Sequence, residues 1–152
     1  MASLTHMLWF DTEAEEAARH YLEIFPKGKI NGINKGPDGK VFTVDFEILN
    51  QNYVALNGGP MFTHNESFSI IVHCDGQEEV DYYWNAFING GGTESQCAWL
   101  NDKFGVSWQI VPKQLIESIS HPDPAAAGRA MQAMMGMKKI IIADLEAAIA
   151  AE

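Results

Sequence analysis

The sequence is poor in positive charge. Ten lysine and arginine residues stand against twenty aspartate and glutamate residues among 152, and the formal net charge is −10 at pH 7. Because so acidic a chain repels phosphate groups, we expect it to bind neither nucleic acid nor an anionic membrane surface. The sequence also lacks a run of about 18 apolar residues, so no membrane-spanning helix is expected. The first ten residues have no basic region and no Ala-x-Ala pattern, which argues against a signal peptide, and we predict a cytoplasmic protein.

Cysteine is scarce as well, with only Cys74 and Cys97 present. They are not spaced as the Cys-x-x-Cys pair of a metal or redox motif. We therefore predict two reduced, buried thiols rather than a disulfide. His73 directly precedes Cys74, but adjacent residues of a strand face opposite sides, so the two do not predict a nucleophile and its base.

Residues 1–60 contain one apolar strand, one amphipathic helix and then three more strands. Asp11 or Thr12 is expected to cap the helix, which Pro26 and Gly28 end. Alternating apolar residues predict the later strands. The four strands are expected at Leu4–Phe10, Lys29–Asn34, Val41–Ile48 and Tyr53–Leu56.

Residues 61–112 repeat this order. The helix is expected to begin at Asp75-Gly76 and end at Asn89–Gly92, and the acidic start Gln77–Val80 matches Ala14–Ala17 of the first helix. The strands are expected at Phe68–Cys74, Thr93–Leu100 and Val106–Val111. The repeat predicts an α+β fold of two βαβββ modules, whose sheets can close around a shared cleft.

Residues 113–152 are predicted to be a helical extension of the same structural domain. Strong helix formers predict one helix over Ala125–Ala133, an interruption at Gly136 and a second helix over Lys138–Ala151. The methionines cluster here, at Met131, Met134, Met135 and Met137. We expect them to pack against the domain or a partner subunit, although such a cluster can also form an adaptable binding surface.

Four segments together resemble the PhnB-like proteins, also labelled 3-demethylubiquinone methyltransferase-like. These proteins belong to the vicinal oxygen chelate superfamily, which includes the glyoxalases, the bleomycin resistance proteins and extradiol dioxygenases. The segments are Leu8–Asp11 with Ala14–Ala18 and Tyr21, then Leu56–Pro60, Gln96–Pro112, and Arg129–Met135 with Met137–Ile140. The resemblance implies paired βαβββ modules and a homodimer whose clefts bind small molecules.

Metal-dependent members of the superfamily carry ligands near the first and last strand of each module. The corresponding positions here are Thr5 or His6, Asn57, Phe68 or Ser69, and Gln109. A divalent ion needs several strong donors, and only His6 is a good one, with Gln109 a weak second. We therefore predict no metal and no cofactor, and His6 and Gln109 are the weak metal candidates.

Six residues are predicted to line a partly apolar pocket with a few amides, the usual form of a small-molecule site. They are His6, Trp9, Asn57, Cys97, Trp99 and Gln109. For the tryptophans, a place in the core or in a dimer interface is the alternative.

The sequence thus predicts a homodimer that binds a small, partly apolar molecule in a metal-free cleft, and it leaves open whether a reaction is catalysed. One alternative is a metal-dependent lyase, isomerase or dioxygenase acting on a vicinal-oxygen substrate. Another is a quinone-ring methyltransferase. Against the latter, neither Gly58-Gly59 nor Gly90–Gly92 lies between a strand and a helix, where a methyl donor such as S-adenosylmethionine requires its glycine-rich turn.

Overall fold

The computed structural model describes every residue from Met1 to Glu152. Its strands are β1 (His6–Phe10), β2 (Lys29–Lys35), β3 (Val41–Ile48), β4 (Gln51–Asn57), β5 (Ser69–Cys74), β6 (Thr93–Glu94), β7 (Trp99–Asn101) and β8 (Ser107–Pro112). Its helices are α1 (Ala14–Ile24), α2 (Gln77–Asn89), α3 (Lys113–Ile119), α4 (Pro124–Met135) and α5 (Ile142–Ala150). The chain forms two compact units, Met1–His64 and Asn65–Glu152. No helix combines the length and the apolar character that crossing a membrane requires.

Each unit contains one mixed sheet of four strands. The strand order is β1-β4-β3-β2 in the first sheet and β5-β8-β7-β6 in the second. In both sheets the first strand of the unit lies parallel to the last, and the remaining pairs are antiparallel. The predicted α+β fold, with two βαβββ modules and C-terminal helices, is therefore confirmed.

In the first unit, α1 packs against one face of the sheet, which we call the helix face. Alternate strand residues point to this face, because successive side chains of a strand point to opposite sides. The ring of Tyr21 on α1 lies 6.0 Å from that of Phe46, which stacks on Tyr53 at 5.4 Å. The buried strand residues are Leu8, Phe10, Val44, Phe46, Ile48, Tyr53 and Ala55.

The second unit has two apolar clusters. On the helix face of its sheet, α2 buries Val80, Trp84 and Phe87, and the ring of Phe87 lies 4.7 Å from that of Trp108. The C-terminal helices enclose a separate cluster of Ala98, Val111, Leu115, Met137, Ile140 and Leu145. Of the predicted methionine cluster, Met137 and Met134 pack there, whereas Met131 and Met135 are exposed.

The prediction that Asp11 or Thr12 caps α1 is wrong. The residue before the helix is Glu13, which makes no capping bond with its side chain. Instead the Oδ1 atom of Asn57, at the end of β4, accepts a hydrogen bond of 2.8 Å from the backbone N–H of Ala14. The cap comes from a residue 43 positions away, which local spacing could not indicate.

The predicted continuous strand over Thr93–Leu100 is also wrong. Cys97 and Ala98 adopt positive φ angles of 55° and 77°, which break the strand into β6 and β7. The predicted helix over Lys138–Ala151 begins only at Ile142. Residues 137 and 138 are not helical, because their carbonyl groups accept hydrogen bonds from the backbone of the same two left-handed residues. Helix α3 was not predicted.

Cys74 lies in the core, and burial raises the pKa of its thiol from the ordinary 9.0 to about 12, with the Glu79 and Asp75 carboxylates adding to the rise. Between about pH 9 and about pH 12 the unfolded chain therefore loses this proton while the folded chain keeps it, and stability falls as pH rises. Below this window the thiol is neutral in both states. We expect the stability advantage of the natural protein over Cys74→Ala to shrink across the window in urea titrations, and a constant advantage would contradict the assignment.

Candidate functional site

In the first unit, the structure does not bring His6 and Trp9 together. They lie three positions apart on β1, so they point to opposite faces of the sheet. His6 is on the side of Leu8, with its ring 5.8 Å from that of Tyr53. The Nε1–H of Trp9 donates to the carbonyl of Gly59 at 2.9 Å.

Asn57 uses both ends of its side-chain amide within the first unit. Its Oδ1 caps α1 at Ala14, and its Nδ2 donates to the carbonyl of Val41 at 3.0 Å. The next residue, Gly58, donates its backbone N–H to the carbonyl of Phe10 at 2.8 Å. Asn57 therefore joins α1 to β3 at the edge of an open cleft of about 1000 Å³, whose walls carry both lysine and acidic side chains.

In the second unit, the sheet face opposite α2 brings Trp99 and Gln109 together. Residue pairing places Ile71, Gln109 and Trp99 in one row across β5, β8 and β7. The neighbouring row consists of Ser69, Ser107 and Asn101. We call the face formed by these two rows the polar face.

The polar side chains of this face form hydrogen bonds in pairs. Gln109 Nε2 donates to Ser69 Oγ at 2.9 Å, and Ser107 Oγ donates to Asn101 Oδ1 at 2.9 Å. Asn101 Nδ2 in turn donates to Glu66 Oε1 at 3.3 Å. Since an amide has two N–H donors and a carbonyl oxygen, Gln109 and Asn101 keep further hydrogen-bonding capacity for a ligand.

The polar face contains no lysine and no arginine, and Glu66, which accepts from Asn101, places a carboxylate beside it. Such a surface suits a neutral ligand better than an anion. Of its residues, Gln109 and Trp99 were predicted to line the pocket, and Ser69 was weighed only as a metal position. Ser107 and Asn101 were missed but could have been found. Position 107 alternates with 109 on one predicted strand, position 101 directly follows another, and both residues are polar.

The polar face is held in register by a turn with a buried carboxylate. Asp102 is 4% exposed. Its Oδ1 accepts from the backbone N–H groups of Phe104 and Val106 at 2.8 and 3.0 Å, and its Oδ2 accepts from Trp108 Nε1 at 2.9 Å. The turn between β7 and β8 is thereby fixed, and with it the alignment of Trp99 with Gln109.

Cys97 precedes Trp99 by two residues, and it is half-buried rather than fully buried as predicted. Cys74 is buried, and no disulfide joins the two. We expect iodoacetamide to alkylate Cys97 in the folded protein and Cys74 only after unfolding, because the reagent needs an accessible thiolate. Mass spectrometry of the labelled peptides checks this expectation. Native labelling of Cys74 at the rate of Cys97 would contradict it.

The residues at the expected metal positions do not fit a divalent ion. Ser69 and Gln109 are neutral and bond to each other, and both ends of the Asn57 amide are engaged. No group of three His, Cys, Asp or Glu side chains in the chain lies close enough to hold a metal. A hard dication requires carboxylate or imidazole donors in such a group.

A family model for 3-demethylubiquinone-9 3-methyltransferase matches residues 2–111 of the chain. Among solved structures, a PhnB protein from Bacillus cereus is 26% identical, with a TM-score of 0.65, and the match covers 73% of this chain and 99% of that one. No curated protein matches the chain.

Two further solved structures share the fold at lower identity. The fosfomycin resistance protein FosX from Listeria monocytogenes, whose structure contains Mn(II) and sulfate, is 15% identical with a TM-score of 0.53, covering 74% of this chain and 90% of that one. A glyoxalase/bleomycin resistance protein from Albidiferax ferrireducens is 14% identical with a TM-score of 0.51, covering 72% and 96%. At these identities the likeness shows the fold alone.

Proposed function

Since the chain belongs to the 3-demethylubiquinone-9 3-methyltransferase family, a PhnB-like branch of the vicinal oxygen chelate superfamily, we propose that it binds a small, partly apolar molecule without a metal. The polar face of the second sheet is the proposed site. The observation that carries the proposal is the row in which Trp99 and Gln109 lie side by side.

An aromatic ring beside an amide is suited to a ligand that has an apolar part and one or two polar groups. Trp99 and Gln109 are both half-buried, so each keeps surface that a ligand can cover. Trp99 offers a flat apolar contact. Gln109 is oriented by Ser69, and it offers a donor and an acceptor.

A thermal-shift screen tests this proposal, because binding to the folded state raises the melting temperature. The probes are catechol, lactate, glucose and indole, each with and without MnCl₂. We expect a neutral probe to raise the melting temperature to the same extent in the presence and absence of manganese. Trp99→Ala should weaken its binding at least about tenfold, as the loss of a central aromatic anchor does.

Tyr82→Ala is the matched control for Trp99→Ala, because Tyr82 is an exposed aromatic residue on α2. It should leave the shift unchanged. If every probe fails, or if only manganese with lactate or catechol raises the melting temperature, the proposed metal-free site is wrong.

Methyl transfer to a quinone-like ring is the second candidate, because the family description names that activity. Gly58 and Gly59 follow β4, and Gly90 to Gly92 follow α2 and precede β6, so neither glycine segment forms the turn from strand to helix that is expected for S-adenosylmethionine. Saturable binding of S-adenosylmethionine by calorimetry would support this candidate over simple ligand binding.

A second copy of the chain is the proposed partner, and the strand edges support a homodimer. The edge strands β1 and β5 contain neither proline nor an acidic, lysine or arginine residue. The opposite edges are protected, since β2 has lysines and register shifts and β6 has only two residues. We expect light scattering at micromolar concentration to give the mass of a dimer, and a monomer alone would remove this proposal.

A further inference from the structure

The C-terminal extension contacts the turn that leads into Trp99. The backbone N–H groups of Cys97 and Ala98 donate to the carbonyls of Met137 and Lys138, each at 2.9 Å. Cys97 and Ala98 both have positive φ, a conformation that is costly for residues with a β-carbon and that therefore needs support from outside the turn. Residues 137–138 supply that support.

A single side chain on α2 holds the rest of this segment. Gln77 Nε2 donates to the carbonyl of Ile140 at 2.9 Å, and Gln77 Oε1 accepts from the N–H of Ile142 at 2.8 Å. Both ends of one amide thus hold the backbone at the start of α5. We call residues Met137–Ile142 the clasp.

An ion pair adds to this grip. Lys139 Nζ lies 2.9 Å from Asp81 Oδ1 on α2, and Gln77 Nε2 also donates to Asp81. These hydrogen bonds from Lys139 and Gln77 lower the pKa of the Asp81 carboxyl. The pair is partly exposed, so we expect it to stabilise the clasp less than the two hydrogen bonds between Gln77 and the backbone do.

Apolar packing connects the clasp with the sheet. Met137 and Ile140 are buried in one cluster with Ala98 and with Val111 of β8. The carbonyl of Ala98 also accepts from the N–H of Ile110 at 2.9 Å. The clasp, the turn and β8 are therefore in direct contact, and Trp99 of the polar face directly follows that turn.

We propose that the clasp positions the Cys97–Ala98 turn, and that Gln77 is the positioning residue that keeps the clasp in place. The family model matches residues 2–111, so the clasp lies outside the matched modules. It makes the C-terminal extension a control element of the polar face. The positioning of the turn by the clasp does not depend on the proposed function. Only an effect of the clasp on ligand binding, through Trp99, rests on the proposed function.

Alkylation of Cys97 by iodoacetamide in the folded full-length protein tests the proposal without a ligand. In Gln77→Ala we expect the rate for Cys97 to rise about tenfold, because two hydrogen bonds that hold the clasp are lost and the turn opens locally. The buried Cys74 reports global unfolding in the same sample, and its rate should not change. Failure of the ligand screen would leave this result unaffected.

The matched control is Gln114→Ala, which removes another glutamine that donates to a backbone carbonyl of the same unit, that of Asp75. It should leave the rate for Cys97 unchanged. Lys139→Ala should raise that rate about twofold through loss of the partly exposed pair, and Lys139→Arg should restore it. An unchanged rate in Gln77→Ala overturns the proposal. An equal rise in the alkylation rates of Cys74 and Cys97 in Gln77→Ala and Lys139→Ala also overturns it, since the clasp would then stabilise the whole unit and not the turn.

Discussion

Replacement of Asp102 by alanine is expected to lower the free energy of unfolding by at least about 3 kcal/mol, since each buried donor that is left without a partner costs about 1–3 kcal/mol. Three donors lose their acceptor at once, namely the backbone N–H groups of Phe104 and Val106 and the indole N–H of Trp108. Urea unfolding followed by circular dichroism measures the change. The loss is large because the carboxylate and the Trp108 ring are both buried.

Asp102→Asn distinguishes the hydrogen bonds that this carboxylate accepts from the turn backbone from the one that it accepts from Trp108. The amide oxygen can still accept from the backbone of the turn, but the amide N–H₂ then meets the indole N–H of Trp108, donor against donor. We expect a loss of stability smaller than that of the alanine variant. Asp38→Ala is the control, because Asp38 accepts from the N–H of Lys40 in an exposed turn, and it should change stability by at most about 0.5 kcal/mol. Equal effects of Asp102→Ala and Asp38→Ala would contradict the role assigned to Asp102.

The second large effect is expected at Gly58, where any side chain would overlap the indole of Trp9. Gly58→Ala should cost about 2–4 kcal/mol, because the overlap forces either the ring or the β4 end to move. The Trp9 ring is held by its bond to the Gly59 carbonyl and by the edge-on ring of Phe62 at 5.1 Å. The melting temperature measured by calorimetry reports the loss.

Gly128→Ala is the matched control for Gly58→Ala, because Gly128 lies in α4 and a β-carbon there meets no atom within 4 Å. It should be stabilising by about 0.5–1 kcal/mol, as alanine is the better helix former. Combining Gly58→Ala with Trp9→Leu should recover part of the loss, since the smaller side chain leaves room. Independent, additive effects of the two substitutions would show that the overlap is not the cause.

The repeat of the modules could be predicted from the sequence because it depends on local periodicity. Alternation along Val41–Ile48 and helical spacing around Tyr21 are both properties of short windows. These patterns were sufficient to predict that Val44, Phe46 and Tyr21 are buried. The order of elements then fixed the module, since the same order occurs twice.

The features that were missed depend on contacts between distant residues. Asn57 was weighed as a metal or pocket residue, and the structure employs it to cap α1 from the end of β4. The left-handed turn at Cys97 and Ala98 is stabilised by residues 137–138, so nothing in its own sequence could indicate it. The same contact keeps Lys138 out of the second helix, because its carbonyl group already accepts a hydrogen bond from Ala98.

That all six predicted residues line one pocket stays a prediction. Within the second unit, Trp99 and Gln109 are neighbours, and Cys97 lies in the turn before them. Within the first unit, His6 and Trp9 point to opposite faces of β1. Strand alternation alone would have separated those two residues, because they are an odd number of positions apart.

Calorimetric titration of the protein with MnCl₂ tests the central claim most directly, because that claim concerns which atoms are available on the polar face. We expect no saturable heat at one ion per chain, since Ser69 and Gln109 are neutral partners of each other. Stoichiometric manganese binding in the natural protein that is lost in Gln109→Ala or His6→Ala would contradict the account and favour a metal-dependent enzyme.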